Sequence, residues 1–206
     1  MDMVKYGEMI QKRETSPRRR QIVSAARRLI VKYGSEHVTV RRIAKEIGVS
    51  EGAIYRHFKS KREILSFLVD EIEDILMADV DNDYKSSLSA LEILERIVKG
   101  QVSSAEQKSG ISFQVIAEII SLGDKKLNKK IYDVINDYIA RIKDILSEGV
   151  KAGIIRQDID VDATATLFFS MMQGLVNMWA LSNYSFNLEQ RYAPIWDVFC
   201  DAIIKR

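Results

Sequence analysis

From Ser16 to the C-terminal end, apolar side chains recur every three or four positions, and nowhere do they alternate over a useful length. A period near 3.6 residues places apolar groups on one helical face, so the chain is expected to be all-α, with no sheet. Only two prolines and ten glycines punctuate the 206 residues, and Leu, Ile, Ala, Lys and Glu are plentiful. That composition favours helices. An apolar content of 47% is enough for a real core.

Ser16-Pro17 reads as an N-cap followed by the first helical position. Ile22, Ala25, Ala26, Leu29 and Ile30 mark one buried face, and this helix stops near Tyr33-Gly34. Thr39 opens a short helix through Ile47, which Gly48 ends. Ser50 caps a third helix, Glu51 to Phe58. Ser60 caps a fourth, with Ile64, Leu65, Leu68, Ile72 and Ile75 on one side. Further helices are expected over roughly 87–106, 112–121, 125–152, 162–182 and 188–205. The domain boundaries are read as an arm or helical extension over 1–16, a helix-turn-helix domain over 17–65, and a larger helical domain over 66–206.

The net charge of +2 hides an asymmetry: residues 1–65 hold 16 Lys/Arg against 7 Asp/Glu, and the rest hold 15 against 22. A basic first module on an acidic remainder suggests a polyanionic partner for that module alone. The single cysteine, Cys200, excludes an internal disulfide and a zinc site built on several thiolates. His37 and His57 lie in different segments, so no metal or other cofactor is expected. The first 30 residues lack the apolar run of a signal peptide, and the most apolar stretch, Leu167 to Leu181, is broken by Ser170, Gln173, Gly174 and Asn177. No membrane span and a cytoplasmic location are expected. There is no nucleophile elbow, no phosphate-binding glycine loop and no H-E-x-x-H, so an enzyme is not expected.

The stretch from Thr39 to Phe58 constrains function most. Two steeply crossing helices need a small residue where their backbones meet, supplied by Ala44, and a turn residue that tolerates positive φ, supplied by Gly48. Ile43, Ile47, Val49, Ile54 and Phe58 can form the shared core. The second helix then presents Glu51, Gly52, Ala53, Tyr55, Arg56 and His57 outward, as a recognition helix in a major groove would. Gly52 is either a tolerated first-turn glycine or a missing side chain that permits close approach to a base edge; the motif favours the second. Glu51 either accepts from a cytosine amino group or complements the helix N-terminus. Arg18, Arg19 and Arg20 either grip phosphates or are solvated; their place at the start of a helix in the basic module favours phosphate contact.

The run from Val38 to Ala44, with Gly48-Val49-Ser50 and Ile54-Tyr55-Arg56-His57-Phe58-Lys59-Ser60-Lys61, resembles the DNA-binding domain of the tetracycline-repressor (TetR) family. The likeness covers about residues 18 to 65. It implies phosphate contacts from Thr39, Arg41, Tyr55, His57 and Lys61, with base reading by Ser50, Glu51, Gly52 and Ala53; Arg42, Arg56 and Arg18 complete the expected DNA-binding set. It also implies a ligand-responsive repressor that binds a palindromic operator of double-stranded DNA as a homodimer and is released by a small effector. An architectural DNA binder indifferent to small molecules is the alternative.

The stretch from Asp162 to Ser182 is apolar nearly all round, and such a helix must be covered on both sides. Its Leu167, Leu175 and Met178, with Trp196, Phe199 and Ile203 of the last helix, are expected at an isologous four-helix dimer interface of the kind the resemblance implies. Phe67, Phe113, Ile116, Tyr132, Tyr138, Phe168, Met171, Met172 and Trp179, mostly aromatic or Met, could line an apolar cavity with Gln173 as a polar contact. This bias suggests an apolar or aromatic effector, such as a drug or an acyl compound.

Overall fold

Four hydroxyl side chains begin four helices by the same local chemistry. The computed structural model describes residues 16–34, 37–83, 88–107 and 111–204; but for Ser16, the arm expected over 1–16 lies outside the described residues. Helix α1 runs Pro17–Tyr33, and the Ser16 Oγ accepts from the Arg19 N–H at 3.3 Å. Thr39 opens α2, Val40–Glu46, accepting from the Arg42 N–H at 3.1 Å. Ser50 opens α3, Glu51–Tyr55, accepting from the Ala53 N–H at 3.2 Å. Ser60 opens α4, Lys61–Asp83, accepting from the Glu63 N–H at 3.2 Å, while the Glu63 carboxylate takes the Lys59 N–H at 2.6 Å. Each cap satisfies a donor that the first helical turn leaves without a partner.

The remaining helices are α5, Ala90–Gln107; α6, Ile111–Ser121; α7, Lys125–Lys151; α8, Val161–Leu181; and α9, Leu188–Ile203. Among the described residues there is no strand, only an isolated antiparallel bridge between Ile155 and Ile204. The expected helices are found within a few residues of their limits. One differs: α3 ends at Tyr55 instead of Phe58, and the His57 N–H donates to the Ile54 carbonyl at 2.9 Å, the tighter i to i+3 pattern that closes many helices.

The chain forms two compact units. The first contains the described residues up to Asp74 together with Val115–Lys130. Its core holds Ile22, Ala26, Ile30, Ile43, Ala44, Ile54, Phe58, Ile64, Leu65 and Leu68. Gly48, at φ 68°, makes the turn between α2 and α3, and the Val49 N–H returns to the Ala44 carbonyl at 2.9 Å. Arg27 pairs with Glu71, and burial lowers this guanidinium from its ordinary value. Lys130 pairs with Asp70 at 2.5 Å and donates to Ser66.

The second unit contains Ile75–Gln114 and Ile131 onward. Tyr138 is fully buried, and its hydroxyl accepts from the Gln101 amide at 2.7 Å. Phe168 meets Phe199 edge-on, with centroids 5.7 Å apart. Asp160 caps α8 and Asn187 caps α9. Burial, and after it the carboxylates of Asp197, Glu95 and Asp201, push the Cys200 thiol up to about 11.

Gly149 sits where α7 has no room for a side chain. A Cβ there would lie 2.6 Å from Ile155 Cδ1 and 2.8 Å from Ala90 Cβ. Gly→Ala inside a helix ordinarily stabilises by up to about 1 kcal/mol. Here overpacking wins, and Gly149→Ala is expected to destabilise by about 1–3 kcal/mol. Thermal unfolding checks it: the midpoint should fall by about 3–10 °C for a chain of this size.

Candidate functional site

The starts of α2, α3 and α4 carry most of the residues expected to meet DNA. Thr39, Arg41, Arg42, Ser50, Glu51, Gly52, Tyr55 and Arg56 are exposed, and Ala53, His57 and Lys61 are half-buried. Burial lowers the Lys61 ammonium from its ordinary value. Arg41 and Arg56 have no carboxylate partner among the described residues. Arg42 is engaged locally: it donates to the His37 carbonyl at 3.2 Å and lies 5.7 Å from the centre of the Tyr33 ring. Exposed Arg18 donates to Gln21 at 2.6 Å.

The structure separates the three consecutive arginines. Arg18 and Arg20 face solvent, but Arg19 turns inward. Its guanidinium lies 4.4 Å from the Phe58 ring centre and 5.5 Å from that of Phe67, with Glu63 at 3.6 Å. Successive helical residues point about 100° apart, so three in a row cannot share one face. Arg19 packs on side chains of the first unit, while Arg18 and Arg20 stay open to solvent. Gly52 has the opposite character. A Cβ there would meet only the Ser50 Oγ, at 3.8 Å, so nothing inside the chain demands a glycine. Lys45 and Lys59 are further exposed cations of this unit; only the overall basic surplus signalled them in the sequence.

The expected effector residues fall in both units. Phe67 and Ile116 belong to the first unit and the others to the second. Tyr138, Phe168, Met172 and Trp179 are buried, as is Ile116. Met171, Gln173 and Phe67 are half-buried. Tyr132 is 65% exposed, so it lines no enclosed cavity in this structure. The side chain of Phe113 lies outside the described residues. A cleft of about 540 Å³ between α5 and α9 contains none of these ten, and is lined instead in part by Trp196.

The expected dimer residues divide as well. Leu175, Phe199 and Ile203 are buried in the chain's own core, and Trp196 stacks on Phe199 at 5.7 Å. Leu167 and Met178 stay exposed, Met178 to 60%, and so do Leu181, to 85%, and Val198 of α9. Leu167, Met171, Gly174, Met178 and Leu181 recur at steps of four and three, which makes one apolar stripe along α8. Among the described residues no helix is long and apolar enough to cross a membrane, and no His, Cys, Asp and Glu group could hold a metal ion.

Residues 22–66 match the family described as bacterial regulatory proteins, tetR family, and residues 62–202 match the C-terminal region of YsiA-like protein. The chain is 28% identical to the fatty acid metabolism regulator protein of Bacillus subtilis over 85% of its own length and 90% of that protein. It is 25% identical to the nucleoid occlusion factor SlmA of Idiomarina loihiensis, over 91% of this chain and 95% of that one. Its fold is similar to that of the fatty acid degradation regulator FadR from Bacillus halodurans, with a TM-score of 0.81 and 22% identity over 91% of this chain and 97% of that one. A second similar structure is FadR from Bacillus subtilis in complex with stearoyl-CoA, with a TM-score of 0.78 and 24% identity over 88% and 97% of the two chains. The basic unit, its exposed helix starts and these matches over both parts of the chain lead to one assignment: the chain belongs to the tetR family of bacterial regulatory proteins and is a DNA-binding transcription regulator, not an enzyme.

Proposed function

We propose that this chain is a cytoplasmic repressor that binds a palindromic operator as a homodimer and releases it when a long-chain acyl thioester binds. The observation that carries this reading is the near full-length likeness to a fatty acid metabolism regulator, joined to a fold shared with a chain that holds stearoyl-CoA. Arg41, Tyr55, Arg56 and Lys61 serve as phosphate contacts, and Ser50, Glu51, Gly52 and Ala53 read bases. The open space at Gly52 supports this, since it is available to a base edge. Two such helices related by a two-fold axis read half-sites about one helical turn apart. Ligand binding acts by population shift, favouring a form whose recognition helices are wrongly spaced for DNA. Helix α4 is the natural lever: its residues up to Asp74 fall in the first unit and those from Ile75 in the second.

Several relatives carry the name nucleoid occlusion factor, which supports a second reading, a DNA binder that ignores acyl compounds. Mobility shift on the DNA flanking the protein's own gene, with and without stearoyl-CoA, separates the two. The repressor reading expects a discrete, competitor-resistant complex whose apparent Kd rises roughly 5–150-fold with stearoyl-CoA. A discrete complex indifferent to acyl-CoAs favours the second reading. Arg41→Ala is expected to weaken binding across all sequences alike and to flatten the log K against log salt slope by about 1.8, two contacts per dimer at about 0.9 each. An unchanged slope would remove Arg41 from the phosphate contacts.

A further inference from the structure

Base reading by α3 needs more than exposed side chains. The helix is only five residues long, Glu51–Tyr55, and a helix this short has little stability of its own, so its neighbours set its direction. Its end is fastened to the junction that leads into α4. The Arg56 N–H donates to the Gly52 carbonyl at 3.3 Å, and the His57 and Phe58 N–H groups donate to the Ile54 carbonyl at 2.9 and 3.0 Å. Whatever holds residues 58–63 therefore sets where Ser50 to Ala53 point.

One side chain from the start of α1 holds that junction at two places. The Arg19 guanidinium lies over the Phe58 ring, 4.4 Å from its centre, with the Phe67 ring centre at 5.5 Å. Its Nη2 lies 3.6 Å from Oε1 of Glu63. The other oxygen of the same carboxylate, Oε2, accepts the Lys59 N–H at 2.6 Å. Arg19 thus touches the ring before Lys59 and, through Glu63, the backbone of Lys59 itself. An apolar side chain would suit the two rings but not the carboxylate; a planar, charged guanidinium suits both. The Arg19 Nε is buried without a hydrogen-bond partner, which lowers stability, so packing alone does not account for an arginine here.

We propose that Arg19 is a positioning residue for DNA recognition: through Phe58 and Glu63 it fixes the direction of α3 relative to Lys61, the phosphate contact at the start of α4, and does so without touching a phosphate itself. This rests on the reading of α3 as the base-reading helix. A site that reads bases has to be held to within about 0.5 Å by the side chains behind it.

The test uses the full chain and a duplex that the wild type selects from a random pool, with an unrelated duplex of equal length beside it. Arg19→Met keeps apolar packing on both rings and breaks the link to Glu63. Its affinity for the selected duplex should fall at least about tenfold, the scale of one mismatched base pair. Affinity for the unrelated duplex should hold within about twofold, and the salt slope should not change. Glu63→Gln breaks the link from the other side while leaving an oxygen for the Lys59 N–H, and should lose the same discrimination. The double variant should lose no more than the worse single one, within about twofold. A phosphate contact would instead flatten the salt slope by about 1.8 per dimer and weaken both duplexes alike, and that result overturns the proposal. Equal loss on both duplexes with the slope unchanged marks a merely structural arginine and overturns it too. So does undiminished discrimination in either variant, or losses that multiply in the double variant. A wild type that selects no sequence removes the base-reading role of α3, and the proposal with it; a wild type that does select one leaves that role standing whichever way the variants fall.

Discussion

Phe58→Ala is expected to lower the stability of the first unit by about 3–5 kcal/mol, the usual cost of emptying a large aromatic site in a core. Phe58 is 1% exposed and meets Phe67 edge-on at 6.0 Å. The Arg19 guanidinium lies over its face at 4.4 Å, and the Arg19 Nε is buried with no hydrogen-bond partner. Removing the ring therefore also strips the part-buried Arg19 guanidinium of one of its two aromatic neighbours, a loss of about 0.5–1 kcal/mol within the total. Phe58 lies three residues beyond α3 and its N–H donates to the Ile54 carbonyl at 3.0 Å, so the damage reaches the helix that reads DNA. Urea unfolding should show an earlier midpoint, and operator affinity should fall with the folded fraction. Phe58→Leu, which refills most of the site, should recover more than half of the loss. A cost under about 1 kcal/mol for the alanine variant would show that this core closes over the gap.

The second large effect is expected at the apolar stripe of α8. Met178→Glu with Leu181→Glu should convert a dimer into a monomer and weaken operator binding by about 100-fold or more, because the two half-site contacts are no longer linked. Both side chains are largely exposed in the single chain, so the change should leave its fold intact. An isologous interface repeats every substitution, so two new carboxylates per chain become four facing each other across the axis. Such a stripe of exposed large apolar groups needs a cover, and a second copy of the same stripe supplies one. Sedimentation velocity distinguishes the outcomes. A variant that still sediments as a dimer, or a monomer that binds the operator undiminished, would refute this use of the stripe.

Helix boundaries and the turn could be read from the chain because their causes are local. Ser16, Thr39, Ser50 and Ser60 each satisfy a donor three residues on, and Gly48 takes a conformation that other residues rarely adopt. The faces of α8 and α9 could not be read so well. A helix apolar on all sides carries no polar stripe to mark its outside. Leu175 and Met178 therefore look alike in sequence, yet one is core and the other solvent-facing. Tyr132 and Tyr138 repeat the lesson on α7. They are six residues apart, on different sides of the helix, and only Tyr138 reaches the core, where Gln101 meets it.

The position of Cys200 has a practical consequence for watching this protein move. Burial, and after it the neighbouring carboxylates, push the Cys200 thiol up, so at neutral pH the native cysteine holds far less thiolate than an ordinary surface cysteine. A cysteine introduced in place of exposed Lys59 would take a maleimide or spin label long before Cys200 does. The chain therefore accepts a single site-specific probe near its recognition helix without prior removal of its own thiol. A pair of such probes in the dimer would report the separation of the two DNA-reading helices directly, in angstroms, as an effector is added.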